Sequence, residues 1–152
     1  MKTKLLKKII DKEIVVGVVG LGYVGLPLAV EKAKAGFKTI GFDVQNEKVE
    51  CVNEGVNYIG DVVDADLKKL VADKTLSATT DFSFIKNVDF IAICVPTPLD
   101  AHQQPDISYV KASTEAISKY LTKDTMVVLE SSTYPGTTEE LVKPILLSLI
   151  HI

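Results

Sequence analysis

Residues 14–30 read IVVGVVGLGYVGLPLAV, a run of seventeen residues without a charged side chain. Lysines at positions 2, 4, 7 and 8 precede it, so the run has two interpretations. It is either a membrane segment or signal peptide behind a basic start, or a buried strand that leads into a glycine-rich turn. Asp11 and Glu13 lie directly before the run, where a signal peptide has a basic region, and a spanning helix needs about 20 apolar residues. Four glycines and a proline would further weaken a membrane helix, so we expect no membrane segment.

The same run divides into a strand, a turn and a helix. Ile14–Val19 is a continuous, β-branched-rich run, which is typical of a parallel strand that is covered on both faces. Gly20–Gly25 has the pattern GxGxxG, and helical spacing then continues from Val24 until Gly36. The first glycine permits the tight turn, the second lets a pyrophosphate approach the backbone, and the third lets helix and strand pack closely. The helix N-terminus offers N–H groups to the phosphates.

An acidic residue follows the second predicted strand, Lys38–Phe42. Asp43 lies 23 residues after Gly20, close to the spacing of about 20 at which an acid binds the ribose hydroxyls of a dinucleotide. The alternative is that Asp43 is an ordinary turn residue at a strand end. The strand before the turn and the helix after it favour the ribose role.

Strands and helices alternate through the rest of the chain. The patterns predict helices over 46–54, 64–72 (with Asp64 as N-cap) and 108–120, a helix from about residue 137 to the end, and strands over 75–79, 88–95 and 125–130. This order predicts an α/β Rossmann-type fold, a doubly wound parallel sheet with strand order 3-2-1-4-5. A bound cofactor would lie across the carboxyl edge of the sheet, near Val95–Leu99 and Ser131–Tyr134.

Composition excludes several other classes of function. A net charge of −3 gives no electrostatic reason to expect nucleic acid or an anionic membrane as partner. The lysines of residues 1–12 are expected on the solvated face of a short basic helix. Cys51, Cys94, His102 and His151 form no metal-binding pattern, so we expect no metal, no disulfide and a cytoplasmic location.

Four ordered motifs resemble one family. VVGLGYVGLPLAV, GFDV, ICVPTPLD with PDISYV behind it, and LESSTYPGTTEE are similar to motifs of the UDP-glucose and GDP-mannose dehydrogenases, which oxidise C6 of nucleotide sugars. The resemblance covers about residues 10–145. The residues of the four motifs are most similar to those of the branch that oxidises UDP-N-acetylhexosamines, such as UDP-N-acetylglucosamine 6-dehydrogenase. It implies NAD as cofactor and a UDP-sugar as substrate.

The resemblance also implies which residues contact NAD. Lys48, five residues after Asp43, matches a basic position near the adenosine end, although it could equally be a solvated helix lysine. Thr133 resembles the family threonine near the reacting centre and is the one catalytic candidate, with a strand-end hydroxyl as the alternative. The implied NAD contacts are Gly20, Leu21, Gly22, Tyr23, Val24, Gly25, Asp43, Lys48, Val95, Pro96, Thr97, Pro98, Leu99, Ser132, Thr133 and Tyr134.

Three acidic residues near the end of the chain are weaker candidates for a role in catalysis. Glu139 and Glu140 follow Thr137, and the pattern favours a capping box in which Thr137 is the N-cap and Glu140 reaches back to it. Glu130 is either a group beneath the nicotinamide or a plain strand-end acid.

Family chemistry is a pair of hydride transfers that use two NAD⁺ and pass through a thioester on a cysteine. The resemblance implies that this cysteine, the sixth strand, a dimer-forming helix and the sugar-nucleotide domain lie beyond residue 152. We therefore expect residues 1–152 to be a NAD-binding domain that is inactive alone and that dimerises only in the full-length enzyme. The segment 146–152 is interpreted either as a non-native tail or as a natural end. The alternatives are a stand-alone NAD-binding regulatory module and another dehydrogenase of the β-hydroxyacid type.

Overall fold

The computed structural model describes residues 2–148, without the side chains of residues 2–4. Its centre is a parallel sheet of five strands in the order β3-β2-β1-β4-β5. The predicted fold class and strand order are therefore confirmed. The strands are β1 Val15–Val19, β2 Lys38–Phe42, β3 Leu76–Thr79, β4 Phe90–Ile93 and β5 Met126–Leu129.

Strand β1 lies in the middle of the sheet and explains why its sequence is apolar throughout. Val16 pairs with Thr39 of β2 on one side and with Phe90 of β4 on the other. Helices cover both faces of the sheet, so four of the five β1 residues are buried and alternation of polar and apolar residues disappears. Strands β2 and β3 follow on one side of β1, and the chain then crosses to the other side to form β4 and β5. This change of side opens a crevice at the carboxyl edge between β1 and β4.

Two apolar clusters pack against the sheet. One includes Val16, Leu26 and Leu67, and the other includes Phe42, Ile91 and Ile117. The first cluster includes residues of the helices Gly25–Lys34, Asn46–Asn53 and Asp64–Ala72. The second includes residues of the helices Ser108–Ser118 and Lys143–Ser148 and of a 3-10 segment over Phe82–Asn87. The helices are α1 Lys2–Ile10, α2 Gly25–Lys34, α3 Asn46–Asn53, α4 Asp64–Ala72, α5 Ser108–Ser118 and α6 Lys143–Ser148, and a π-helical turn over Thr138–Val142 precedes α6.

Helix α1 lies against the amino edge of the sheet. The Lys8 ammonium is 2.7 Å from a carboxylate oxygen of Asp89, the residue before β4. The Lys12 ammonium donates to the carbonyl of Ala35 at 2.7 Å, at the C-terminus of α2. The basic N-terminal segment thus forms a helix over Lys2–Ile10, and Lys8 within this helix and Lys12 just after it bind the rest of the domain.

One predicted helix cap is wrong, and one predicted capping box does not form. The N-cap of α4 is Val63, in extended conformation, and Asp64 is already the first helical residue. Thr137 does cap the last helical segment, but its side chain makes no cap hydrogen bond, because its hydroxyl donates to the carbonyl of Tyr134 at 2.7 Å. The Glu140 N–H donates to the carbonyl of Gly136, so the predicted capping box does not form.

The end of the last predicted helix is only partly described. The described part ends at Ser148, and residues 149–152 of the predicted tail lie outside it. Among residues 2–148, no helix has both the length and the apolar composition that crossing a membrane requires.

Candidate functional site

The turn between β1 and α2 depends on two glycines. Gly20 has a φ of +92°, and a Cβ there would lie 2.8 Å from the carbonyl oxygen of Cys94. A Cβ on Gly25 would lie 1.7 Å from the carbonyl oxygen of Gly20. Both distances are shorter than van der Waals contact, so no other residue fits at either position without moving the backbone. The steric roles predicted for the first and third glycine are confirmed.

The middle glycine has a different role. A Cβ on Gly22 would meet no atom within 4 Å, so the protein itself does not require glycine there. Within the described part of the chain, no group accepts a hydrogen bond from the N–H of Gly22, Tyr23 or Val24. These residues therefore present open space and free donors at the N-terminus of α2, which is the arrangement that binds phosphate.

A groove of about 540 Å³ runs along the carboxyl edge of the sheet beside this turn. It brings together segments from β1, β2, β4 and β5, as the strand order predicts. Its lining residues are Gly20, Gly22, Tyr23, Val24, Asp43, Lys48, Tyr58, Ile59, Cys94, Val95, Pro96, Thr97, Glu130, Ser131 and Ser132.

Six of the residues predicted to contact the cofactor do not line this groove. Leu21 is fully buried beneath the turn, and Gly25 is packed against Gly20. The remaining four follow the lining residues Thr97 and Ser132 in the chain and are Pro98, Leu99, Thr133 and Tyr134. The contacts assigned to these residues, including the catalytic role of Thr133, stay predictions.

Asp43 is almost fully buried at the end of β2, with 7% of its surface exposed. One carboxylate oxygen accepts from the Leu21 N–H at 2.8 Å, and the other accepts from the Gln45 N–H at 2.9 Å. The Lys48 ammonium is 3.9 Å from the first of these oxygens. A carboxylate has about four acceptor positions, so two remain for hydroxyl groups of a ligand in the groove. Asp43 thus also fixes the glycine turn, a contact that the spacing rule did not reveal.

Tyr58 is the main groove residue that sequence reasoning missed. It lies in the loop between α3 and α4, and its hydroxyl donates to the Leu21 carbonyl at 2.8 Å. Burial, followed by the negative charge of Asp43, raises the pKa of Tyr58, so the phenol stays protonated at neutral pH. No periodic pattern or motif marks a tyrosine in a loop, and the long-range contact depends on the fold.

Cys94 and Glu130 line the groove without forming a reactive pair. Burial, followed by the charge of Glu130, raises the pKa of the Cys94 thiol to about 12. A thiol with that pKa is protonated near neutral pH and is a poor nucleophile. The neighbouring Ser131 hydroxyl donates to the Val95 carbonyl at 2.7 Å and holds the exits of β4 and β5 together. The sequence-based interpretation of Cys94 as a packing residue agrees with this environment.

The groove fits a dinucleotide. It combines the space above Gly22, free backbone donors at the start of α2 and a carboxylate at the end of β2. These three features suit, respectively, the close approach of a pyrophosphate, its negative charge and the hydroxyls of a ribose.

Comparison with known proteins agrees with this geometry. The family model of the UDP-glucose/GDP-mannose dehydrogenase family, NAD binding domain, matches residues 14–150. The chain belongs to this family. The domain is 39% identical over 135 residues to the UDP-N-acetyl-D-glucosamine 6-dehydrogenase of Pseudomonas aeruginosa, a match that covers 89% of this chain and 31% of that enzyme.

Solved structures show the same relationship. A ternary complex of GDP-mannose dehydrogenase from Pseudomonas aeruginosa superposes with a TM-score of 0.83 at 29% identity, over 88% of this domain and 32% of that chain. UDP-D-ManNAc dehydrogenase from Pyrococcus horikoshii also gives a TM-score of 0.83, at 31% identity, over 90% of this domain and 32% of that chain. The chain thus spans about a third of the length of these relatives, and the fold, the family and NAD as cofactor are established for it.

Proposed function

We propose that the carboxyl-edge groove binds NAD⁺ for an enzyme that oxidises the C6 alcohol of a UDP-N-acetylhexosamine to the uronate. The observation that carries the proposal is the groove itself, in which the open space above Gly22, the free N–H groups and the Asp43 carboxylate lie together. The relatives support the substrate class, because they include a UDP-N-acetyl-D-glucosamine 6-dehydrogenase and a UDP-N-acetyl-D-mannosamine dehydrogenase.

The proposal assigns a binding role to each part of the groove. The N–H groups of Gly22, Tyr23 and Val24 hold the pyrophosphate, and Asp43 accepts hydrogen bonds from the adenosine ribose. Val95, Pro96 and Thr97 form the wall at the exit of β4, where two prolines in VPTP restrict the backbone. NAD⁺ held by these groups would supply the hydride acceptor for oxidation of the sugar substrate.

Further assignments complete the proposal. Thr133 lies near the reacting carbon in the whole enzyme, next to Ser132 at the groove wall. The UDP-sugar binds mainly to parts of the full-length enzyme outside the third of its relatives that this chain matches. The homodimer forms only in the full-length enzyme. A cytoplasmic location suits the free thiols of Cys51 and Cys94. The 152-residue chain alone is expected to bind NAD⁺ without oxidising a UDP-sugar.

Cofactor choice tests the assignment of Asp43. A 2′-phosphate would bring a second negative charge against a buried carboxylate, and two unit charges 4 Å apart repel by about 4 kcal/mol at an effective dielectric of 20. Solvent, salt and the ammonium of Lys48 reduce this to roughly 1–3 kcal/mol, or about tenfold to a hundredfold in affinity. We expect NAD⁺ at a hundred times its dissociation constant to stabilise the chain by about 2.7 kcal/mol in a thermal-shift titration. NADP⁺ should stabilise it much less.

Asp43→Ala is the matching variant. It removes the acceptor of the Leu21 and Gln45 N–H groups as well as the ribose contact, so it also lowers the melting temperature. The informative quantity is therefore the ratio of the NADP⁺ and NAD⁺ dissociation constants, which should move towards one. Glu47→Ala, an exposed position beside Lys48, should leave that ratio unchanged. If NADP⁺ protects the parent chain as strongly as NAD⁺, the ribose role of Asp43 is wrong.

A further inference from the structure

Leu21 is held on both sides of its backbone by side chains from distant segments. Its N–H donates to Asp43 at 2.8 Å, and its carbonyl accepts from the Tyr58 hydroxyl at 2.8 Å. Its side chain is fully buried and packs against Gly41, where an added Cβ would lie 2.7 Å from a Leu21 methyl carbon. The second residue of the glycine turn is therefore fixed by its side chain and by both backbone polar groups.

The donor to the Leu21 carbonyl is itself held firmly. The Asn57 side chain amide donates to the Val62 carbonyl at 2.7 Å and to Asp64 at 2.9 Å, and its oxygen accepts from the Ile59 N–H at 2.9 Å. These bonds close the loop on either side of Tyr58. The tyrosine ring also packs against the apolar cluster beneath α2. The loop that carries the Tyr58 hydroxyl is thus stabilised by these hydrogen bonds and by the packing of the ring.

The carbonyl of Leu21 and the N–H of Gly22 belong to one peptide group. Because that group is planar and trans, its C=O and N–H point in opposite directions, and a bond that fixes one fixes the other. The Gly22 N–H has no acceptor among the described residues. The hydrogen bond from Tyr58 therefore sets the direction of a donor that is free for a ligand.

Because residue 22 is glycine, the orientation of the Leu21–Gly22 peptide has to be fixed by a contact such as the hydrogen bond from Tyr58. Two common turn types differ by a flip of their central peptide, and the flipped form needs a positive φ at the following residue, which glycine adopts readily. Gly22 has an ordinary φ here, and the space around its Cα is open. Without the bond from Tyr58, the 21–22 peptide would have two accessible orientations, only one of which presents the N–H as observed.

We propose that Tyr58 is a positioning residue for pyrophosphate binding, which acts by holding the Leu21–Gly22 peptide in the orientation that presents the Gly22 N–H. Tyr58 lines the groove, but its hydroxyl acts on pyrophosphate binding through the Leu21 carbonyl and not by contact with the nucleoside. The proposal rests on the cofactor groove described above and adds to it a residue from a loop outside the glycine motif.

The test is Tyr58→Phe, which removes the hydroxyl and keeps the ring. Nuclear magnetic resonance titration of a chain labelled with ¹⁵N-glycine follows Gly22 among the nine glycines. We expect the dissociation constants of NAD⁺ and ADP to rise about three- to tenfold, the range that loss of one hydrogen bond produces. The dissociation constant of adenosine, which has no phosphate, should change by less than about twofold. In the free protein the Gly22 amide resonance should shift.

Tyr120→Phe is the matched control, since Tyr120 is partly exposed and lies outside the groove. It should change neither affinity nor the Gly22 resonance. Equal weakening of adenosine and NAD⁺, or unchanged NAD⁺ affinity in Tyr58→Phe, would overturn the proposal. Unfolding of Tyr58→Phe would overturn it too, because the hydroxyl would then be structural. Failure of the parent chain to bind NAD⁺ would instead contradict the cofactor groove itself.

Discussion

The sheet has a groove at each end, and the larger one is at the amino edge. That groove has a volume of about 730 Å³, against about 540 Å³ for the groove at the carboxyl edge. Helix α1 forms one wall of the amino-edge groove through Leu5 and Lys8, and the segments before β4 and β5 form the others. Volume alone would therefore select the wrong end of the sheet as the cofactor site.

The two grooves differ in how their polar groups are paired. At the amino edge, the carboxylate of Asp89 accepts from Lys8 at 2.7 Å and from the Val15 N–H at 3.0 Å, so the central polar group is bound by the protein itself. At the carboxyl edge, the N–H groups of Gly22, Tyr23 and Val24 have no acceptor among the described residues. Unsatisfied donors next to open space, more than volume, distinguish a ligand site from a structural crevice.

The largest expected effect comes from a substitution that damages the carboxyl edge structurally. In Gly25→Ala the new Cβ would lie 1.7 Å from the Gly20 carbonyl oxygen, and neither atom can rotate away, because the oxygen belongs to the backbone and the Cβ position is fixed by it. We expect a loss of about 3–5 kcal/mol in the free energy of unfolding, at the upper end of overpacking effects. The melting temperature should fall by roughly 10 °C.

The control for that experiment is Gly60→Ala. Gly60 is exposed, and a Cβ there meets no atom within 4 Å. Gly60→Ala should change the melting temperature by no more than a few degrees. If Gly25→Ala were as stable as Gly60→Ala, the backbone at Gly20 could move away from the new Cβ without cost. The glycine turn at the carboxyl edge would then not be sterically restricted.

The next effect separates binding from folding at the same edge. Gly22→Val places a branched side chain in the space above the turn, where it meets no protein atom. We expect the melting temperature to stay within about 2–3 °C of the parent, while NAD⁺ affinity falls at least tenfold. A hydrogen bond to a charged group contributes about 1.5–3 kcal/mol, so exclusion of the pyrophosphate from even one N–H gives that loss. Calorimetric titration measures it, with Gly60→Val as control.

The strength of the sequence signal also differs between the edges. The carboxyl edge could be predicted, because Gly20, Gly25 and Asp43 are spaced by backbone geometry that acts within one βαβ unit. Tyr58 could not, because its contact with Leu21 crosses 37 positions and depends on a loop conformation.

The amino edge was predicted less well for a related reason. A basic helix was expected over residues 1–12, but the pairing of Lys8 with Asp89 joins residues 81 positions apart and follows only from the packing of α1. The incorrect cap at Asp64 and the capping box that does not form at Thr137 have a local cause. Side-chain capping is a preference that neighbouring packing overrides, as the bond from the Thr137 hydroxyl to Tyr134 illustrates.

The smallest expected effect tests the amino edge as a structural crevice. Asp89→Ala removes the acceptor of the Val15 N–H and of the Lys8 ammonium, and a lost buried hydrogen bond costs about 1–2 kcal/mol. The melting temperature should fall by roughly 3–6 °C, and the NAD⁺ dissociation constant should stay within about twofold of the parent. Glu13→Ala, at an exposed position in the same groove, should change neither. A large loss of NAD⁺ affinity in Asp89→Ala would mean that the two edges are coupled.

The same contact predicts a pH dependence. Partial burial raises the pKa of Asp89, but the hydrogen bonds from Lys8 and the Val15 N–H, with the charge of Lys8, outweigh it and hold that pKa below its ordinary value of 3.8. Because the pKa is lower in the folded state than in the unfolded state, the contribution to stability is complete above about pH 5. It is lost as the pH falls through the folded-state pKa. The stability difference between parent and Asp89→Ala, measured by urea denaturation, should therefore be constant from pH 5 to 8 and shrink below about pH 4. A difference that persists undiminished at pH 3 would show that the ionised carboxylate does not hold α1 at this edge.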